Sequence, residues 1–420
     1  MDSALALDAR ASRAWVRRFA RTTPGVVVLI AVVVATSCIV AGVVCAASLN
    51  GRIAEQKAVL EHSEPFAYAA QNLYAASSAA DAAAATAFLS GGNQTPLMRA
   101  RYQQALAGAA SALADATAGA PDAETRKALA EVSAQLATYT GLVEAARANN
   151  VLGFPIGSAY LREASTSMQT NLLPGAEKIY SADLARVDQA QRRVGSLPTA
   201  GVAVLVFALA AIAVGSAVML RRTNRTFNLG LVAAAVLVLV VIVWIGIAVR
   251  LAAGDIERGR AEGTARFGQL AEARILAQQA RTDETLQLIT RGDITASEKS
   301  FSGHIADLVA RIGTASPAAS EAVDKWVASH RAQVDAYTAG DYPGAVAQAL
   351  GTEPGASGAQ FAVVETSLRD AIEKSRATMR GYVSDAGRYL AWIPTGTLVL
   401  MTGAAAAVIV GLWPRLREFL

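Results

Sequence analysis

Residues 198–250 constrain this chain more than any other stretch. Pro198 opens an apolar run that ends at Leu220, and a second apolar run ends at Val249. Between them lies Arg221-Arg222-Thr223-Asn224-Arg225-Thr226-Phe227. Each run is about 22 residues, and a helix needs roughly 20 to cross the hydrocarbon core of a bilayer. Seven residues leave the two helices little choice but to double back. Arginine and lysine beside a span are retained on the cytoplasmic side. The stretch therefore reads as a membrane hairpin with Arg221, Arg222 and Arg225 in the cytoplasm, where they form a candidate signalling turn.

Two further runs qualify as spans, at 25–48 and 390–413. The first has no charge from Val26 to Ala47. A cleavable signal peptide has an apolar core of about 7–15 residues, shorter than this one. An uncleaved anchor is expected. A lipid attachment at Cys45 is disfavoured because Val44 stands where a small residue would be needed. Cys38 and Cys45 are the only cysteines, so no disulfide can staple the rest of the chain. Both are expected to be packing residues in the first span.

Charge sets the orientation. Residues 1–24 carry Arg10, Arg13, Arg17, Arg18 and Arg21 against Asp2 and Asp8. The hairpin turn is basic, and so is the end of the chain, with Arg415 and Arg417 against Glu418. The long segments are slightly acidic: 12 basic against 13 acidic residues in 50–197, and 15 against 18 in 251–389. Both termini are therefore predicted inside and both long loops outside. The net charge of +4 is explained by topology and requires no nucleic-acid partner. Trp15 and Phe19, flanked by arginines, would lie against anionic membrane lipid.

The expected fold is an all-α membrane protein: four transmembrane helices and two extracytoplasmic four-helix bundles. The parts are a cytoplasmic basic tail (1–24), a span (25–48), bundle one (49–197), a span (198–220), the turn (221–227), a span (228–249), bundle two (250–389), a span (390–413) and a short cytoplasmic tail (414–420). In bundle one, Leu129, Val132, Leu136, Tyr139, Val143 and Ala146 keep a heptad spacing. Phe66, Ala70, Leu73, Ser77, Ala80, Ala84 and Phe88 share another face. Gly91-Gly92-Asn93, Gly119 to Asp122 and Gly153-Phe154-Pro155 are the expected turns. A last helix over 158–195 should kink or break at Pro174-Gly175. Bundle two follows the same plan, with breaks at Gly292-Asp293, Ser316-Pro317 and Gly351 to Gly358. The order of parts, and a weak match of 135–150 with 326–341, suggest an internal duplication.

No catalytic set stands out. His62, His304 and His330 have no metal-ligand neighbour at useful helical spacing in a confined site, and phosphate-loop and dinucleotide motifs are absent. No ionisable residue interrupts the spans before Arg250, which argues against a transport path. No enzyme activity and no cofactor is expected. The short cytoplasmic segments leave no room for a signalling module, so a receptor of this layout would borrow its output from a partner. Polar residues that interrupt the apolar seams are the candidate ligand or partner contacts: Asn72, Tyr139, Glu144 and Arg147 in the first loop, and His330, Asp335 and Tyr337 in the second. Each is also readable as an ordinary exposed or hydrogen-bonded helix residue.

The repeated layout resembles the extracytoplasmic four-helix-bundle sensor domains of bacterial chemoreceptors. The chain as a whole resembles the GlnX-like actinobacterial membrane sensors. That resemblance rests on RASRAWVRRFARTTPG from Arg10, AYAAQNLYAASSAADAAAATAFLSGG at 67–92, the RRTNRTF turn and the closing WPRLREFL. It implies a relay. A periplasmic amino-acid-binding lipoprotein of the glutamine-binding type, loaded with aspartate or glutamate, would dock on the bundles. The signal would reach the cytoplasmic Ser/Thr protein kinase G. Related bundles also form homodimers. The competing readings are a scaffold or accessory transporter subunit without sensing, and a receptor that binds a small ligand directly.

Overall fold

The computed structural model describes residues 22–89, 96–195, 198–223, 228–290 and 292–417. Arg225, the tail up to residue 21 and the expected turn at Gly91-Gly92-Asn93 lie outside them. Among the described residues every regular element is a helix. α1 spans Thr23–Ala58, α2 Glu64–Leu89, α3 Pro96–Gly119, α4 Ala123–Val151, α5 Ile156–Ser167, α6 Leu173–Gly195, α7 Thr199–Thr223 and α8 Leu229–Arg258. α9 spans Ala265–Thr290, α10 Thr295–Ile312, α11 Pro317–Thr338, α12 Tyr342–Leu350, α13 Ser357–Leu390 and α14 Ile393–Arg417. Three π turns join successive helices without a break: Val59–Ser63, Met168–Leu172 and Gly259–Thr264.

The chain forms two compact units. One holds the described residues up to Lys57, Arg192–Glu257 and those from Val383 on. It contains the four helical stretches long and apolar enough to cross a membrane, in α1, α7, α8 and α14. Their inward faces make one cluster that includes Cys38, Ala41, Leu205, Ile212, Val238, Ile245, Met401 and Val408. Both cysteines are buried and unbonded. Val32, Val43, Phe207, Val214, Val243, Val399 and Val410 face outward. An apolar outer surface is what a lipid environment requires. Water exclusion cannot drive helix association there, so small residues and interhelical hydrogen bonds must do it. α8 and α14 show both. A Cβ on Gly230 would stand 2.3 Å from the Ala407 carbonyl oxygen and 2.7 Å from the Gly411 Cα. Asn228 Oδ1 accepts from the Gly230 amide at 2.9 Å, and its Nδ2 donates to the Gly411 carbonyl at 3.1 Å.

The other unit comprises Ala58–Gln191 and Arg258–Tyr382, that is, both long loops. They share one hydrophobic core. It runs through Leu73, Tyr139, Leu161 and Met168 of the first loop and Leu270, Phe301, Trp326 and Leu368 of the second. Each loop starts with a π turn and a 26-residue helix, α2 or α9, and the burial pattern along α2 recurs along α9. Caps fix several later helix starts. Asp122 accepts from the Thr125 amide at 2.7 Å, and Ser316 accepts from the Ala319 amide at 3.3 Å with Pro317 opening α11.

Two details depart from the expectations. The chain does not break at Pro174. The wider π turn at Met168–Leu172 sits just upstream, and it contains Thr170, whose carbonyl the proline ring would otherwise strike. The second loop also has an additional short helix, α12. Asp341 caps it by accepting from the Gly344 amide at 2.9 Å, and Pro343 falls in its first turn.

The two loops meet reciprocally. Glu64 at the start of α2 is bound by Arg376 and Arg380 of α13, the last helix of the second loop. Arg260 in the π turn before α9 binds Asp188 of α6, the last helix of the first loop, at 2.8 Å. Thr264 donates to Gln191 Oε1 beside it at 3.0 Å. Between these ends α2 and α9 touch directly. Gln279 donates to the Tyr74 hydroxyl at 3.1 Å, and Arg274 reaches Asn72 Oδ1 at 3.3 Å.

Candidate functional site

Polar groups gather at three places in the two-loop unit. The first is a cleft in the first loop, bounded by α2, α3, α4 and α5, with a volume of about 180 Å³. Ala84, Phe88, Val143, Ala146 and Leu161 give it an apolar wall, and Arg99, Tyr102, Gln103, Glu144 and Arg147 bring polar groups. Arg147 donates Nε and Nη2 to the same oxygen of Glu144, Oε2, at 2.9 and 2.8 Å. The pair is i, i+3 on α4 and nearly half exposed. Tyr102 is 8% exposed, and its hydroxyl has no hydrogen-bond partner.

Behind Tyr102 lies a buried polar cluster. Ser165 donates to Asp81 Oδ2 at 2.8 Å, while Asp81 Oδ1 and the Tyr139 hydroxyl go without a hydrogen bond. Burial pushes the Asp81 carboxyl up to about 6, the Ser165 bond opposing it. Burial, then the Asp81 charge, raises Tyr139 well above the ordinary phenol range. Tyr102 goes up to about 12, from burial first and then the charges of Glu144 and Asp81. Asp81 and the cleft are thus electrostatically linked through Tyr102.

The second place is a buried charge network in the second loop. Glu284 is fully buried and takes contacts from four groups. Arg281 pairs with it from one turn away, and Ser357 donates to it. Trp326 Nε1 donates to Ser357 Oγ at 3.0 Å and reaches Glu284 at 3.3 Å. His330 faces Glu284 with Nδ1 at 3.0 Å and Glu298 with Nε2 at 2.9 Å. A histidine with a carboxylate against each ring nitrogen must donate from both, so it is an imidazolium. Burial alone would lower its pKa, but the hydrogen bonds to Glu284 and Glu298 outweigh burial and raise it to about 9. Burial would raise Glu284, but the Arg281 charge and the His330 bond bring it down to about 2. The imidazole stacks on Phe301 at 3.7 Å, and Phe301 meets Trp326 edge-on at 5.5 Å.

The third is the groove between the loops, about 1000 Å³. Arg101, Arg274, Arg369 and Arg376 enter it against Glu61 and Asp115. Arg274 pairs with Glu365, and Arg376 lies 3.4 Å over the Tyr68 ring.

The residues singled out from the sequence fall in different places. Glu144 and Arg147 line the cleft, and Tyr139 lies in the core beside Asp81. Asn72 sits at the contact of α2 with α9. His330 is in the buried network, Asp335 is exposed, and Tyr337 clamps Gly292 by accepting from its amide and donating to its carbonyl at 2.8 and 3.2 Å. Arg221 and Arg222 end α7, and Arg221 is exposed. Sequence reasoning missed Arg99, Tyr102, Asp81, Glu284 and Glu298. Asp81 carried a readable signal: a lone acid inside an alanine run, with no basic residue within a helical turn.

Residues 55–192 match the family model of the actinobacterial sensor domain. The match takes in α2 to α6 and the cleft, and it supports a sensing role for a helical protein with four membrane-length apolar helices. No curated protein and no solved structure matches the chain.

Proposed function

We propose that this chain is a transmembrane signal transducer for amino-acid availability. In this reading both loops lie outside the cell membrane and both termini inside. A periplasmic solute-binding lipoprotein carrying aspartate or glutamate docks on the loops, and the response reaches a cytoplasmic Ser/Thr protein kinase G. The observation that carries the reading is the sensor-domain match at 55–192, on a helical stretch that is continuous from Gly25 to Leu89. The stretch from Leu229 to Ile289 is continuous in the same way. A helix that spans and senses can pass on a small rotation or slide. Each stretch contains one π turn, Val59–Ser63 or Gly259–Thr264, and π turns inside helices are frequent at functional sites. The partner must bind two arrangements of the loops unequally, or no signal passes.

The test is retention of the lipoprotein by the full chain in native membranes, with and without aspartate. Unequal retention is expected. Equal retention, with kinase output unchanged when the chain is deleted, leaves only a scaffold. Arg221, Arg222 and Arg225 replaced together by Ser should abolish kinase output while docking persists. Topology is verified first by labelling cysteines introduced in each loop. Unchanged output from correctly inserted protein removes the turn from the relay.

A further inference from the structure

We infer that the cleft of the first loop is itself a binding site for a small zwitterion, an α-amino acid with an aliphatic side chain. Its volume, about 180 Å³, is below the roughly 300–1,000 Å³ of sites for drug-sized molecules, so its occupant is a small metabolite. The charges have a layout that suits both ends of an amino acid. Both bonds of Arg147 go to Glu144 Oε2, which leaves Glu144 Oε1 and Arg147 Nη1 uncommitted. Arg99 forms no ion pair among the described residues, so the lining carries one more positive charge than negative.

A carboxylate placed between Arg99 and Arg147 neutralises that excess and accepts charge-assisted hydrogen bonds. An ammonium on the neighbouring carbon reaches Glu144 Oε1. Tyr102 supplies the second, independent sign of a ligand. Tyr102 lines the cleft and is 8% exposed, and its buried hydroxyl lacks a partner. A buried hydroxyl left without a hydrogen bond is costly, and a bound carboxylate would satisfy it. Phe88, Val143 and Leu161 leave the side chain an apolar wall, with no charged group to match a second carboxylate beyond the two arginines already used. The site thus differs in ligand from the aspartate or glutamate of the proposed relay. It would place a second, direct input on the same helices.

The experiment uses the full chain purified in nanodiscs, without any partner protein, and isothermal titration with L-leucine as the probe. Saturable binding with one site per chain is expected. Arg99→Met and Glu144→Gln should each weaken it by about tenfold or more, and Tyr102→Phe by about threefold to tenfold. 4-Methylpentanoate lacks the ammonium and 3-methylbutylamine lacks the carboxylate, and neither should compete at concentrations that saturate leucine binding. Circular dichroism confirms that each variant keeps its helix content, and Tyr102→Phe, which removes only the oxygen, keeps the cleft's shape. No saturable leucine binding overturns the assignment. Binding that is indifferent to all three substitutions overturns it too, because the ligand then sits elsewhere. Equal competition by both half-analogues overturns the zwitterion chemistry. The lipoprotein is absent throughout, so a negative result counts against this site and leaves the relay to its own test.

Discussion

Glu64 and Arg376 stand 312 positions apart in sequence and meet at 2.6 Å, Oε1 to Nε. Glu64 is 3% exposed, and Arg380 holds its other oxygen at 2.7 Å. Arg376 also lies over Tyr68. Removing one partner of a carboxylate buried to this degree is costly, because it takes away part of the charge's pairing in a site shielded from solvent. The pair therefore locks α2 to α13, and Arg260 with Asp188 makes the matching contact on the opposite ends of the loops.

Arg376→Met should cost about 3 kcal/mol of stability, since it strands a buried charge with only the half-exposed Arg380 as partner. Adding Glu64→Gln should return part of that loss, because the orphaned charge is gone. A double-mutant cycle on urea unfolding of the full chain reads the coupling. Strict additivity would mean that the pair does not join the loops energetically.

The network around His330 predicts a stability plateau bounded by two titrations. Glu284 is depressed to about 2 when folded, against an ordinary value near 4.5, so its contribution is complete above 4.5 and disappears as pH falls through about 2. His330 is raised to about 9 from 6.5, so its contribution is complete below 6.5 and disappears as pH rises through about 9. The network's own contribution should be flat between about pH 5 and 6.5, and the thermal midpoint should decline on the alkaline side as His330 deprotonates. His330→Gln should remove most of that alkaline decline. A variant with the full wild-type slope would place its origin elsewhere.

Asp81 has the opposite sign. Its folded value, about 6, lies above its ordinary 3.8 because burial disfavours the charge. Such a group stabilises below 3.8 and loses that contribution as pH rises through about 6. At pH 8 the fold carries a buried carboxylate that it would be better without. Asp81→Asn should raise stability at pH 8 by about 3 kcal/mol and be neutral near pH 4. Thermal melts of wild type and variant at both pH values check this. A destabilised variant at pH 8 would show that the charge is held by partners such as ordered water.

Much of the helical architecture was legible from periodicity. Leu129, Val132, Leu136, Tyr139, Val143 and Ala146 form the buried stripe of α4, as their heptad spacing implies. The spans were legible from run length alone. What the sequence concealed has physical reasons. The π turns have no residue signature, because a wider turn arises from the packing on either side of it. The shared core of the two loops depends on α2 meeting α9, and both are rich in small or polar residues whose helical faces look ambiguous. α12 was readable in principle from Asp341 and Pro343, but at nine residues it falls below the length at which periodicity is informative. In the cleft, Glu144 and Arg147 showed as polar breaks in a seam, whereas Arg99 and Tyr102 belong to another helix and join them only through tertiary packing.

The contact of α8 with α14 yields the sharpest structural test. Gly230 and Gly411 bring the two backbones so close that a Cβ on Gly411 would stand 2.5 Å from the Gly230 Cα and 2.8 Å from its amide nitrogen. These neighbours are backbone atoms, so no rotamer change can relieve the clash. The helices must part, and Asn228 would then lose its bond to the Gly411 carbonyl. Gly411→Val should lower the thermal midpoint of the detergent-solubilised chain by several degrees, consistent with a loss of about 2 kcal/mol or more from packing and one interhelical hydrogen bond. Gly246 lies on the same helix as Gly230, with nothing within 4 Å of its Cβ position, so Gly246→Ala should leave the midpoint unchanged or raise it slightly. The contrast between the two substitutions separates a close helix contact from a general intolerance of glycine replacement. Equal midpoints for Gly411→Val and Gly246→Ala would mean that α8 and α14 do not pack through this pair.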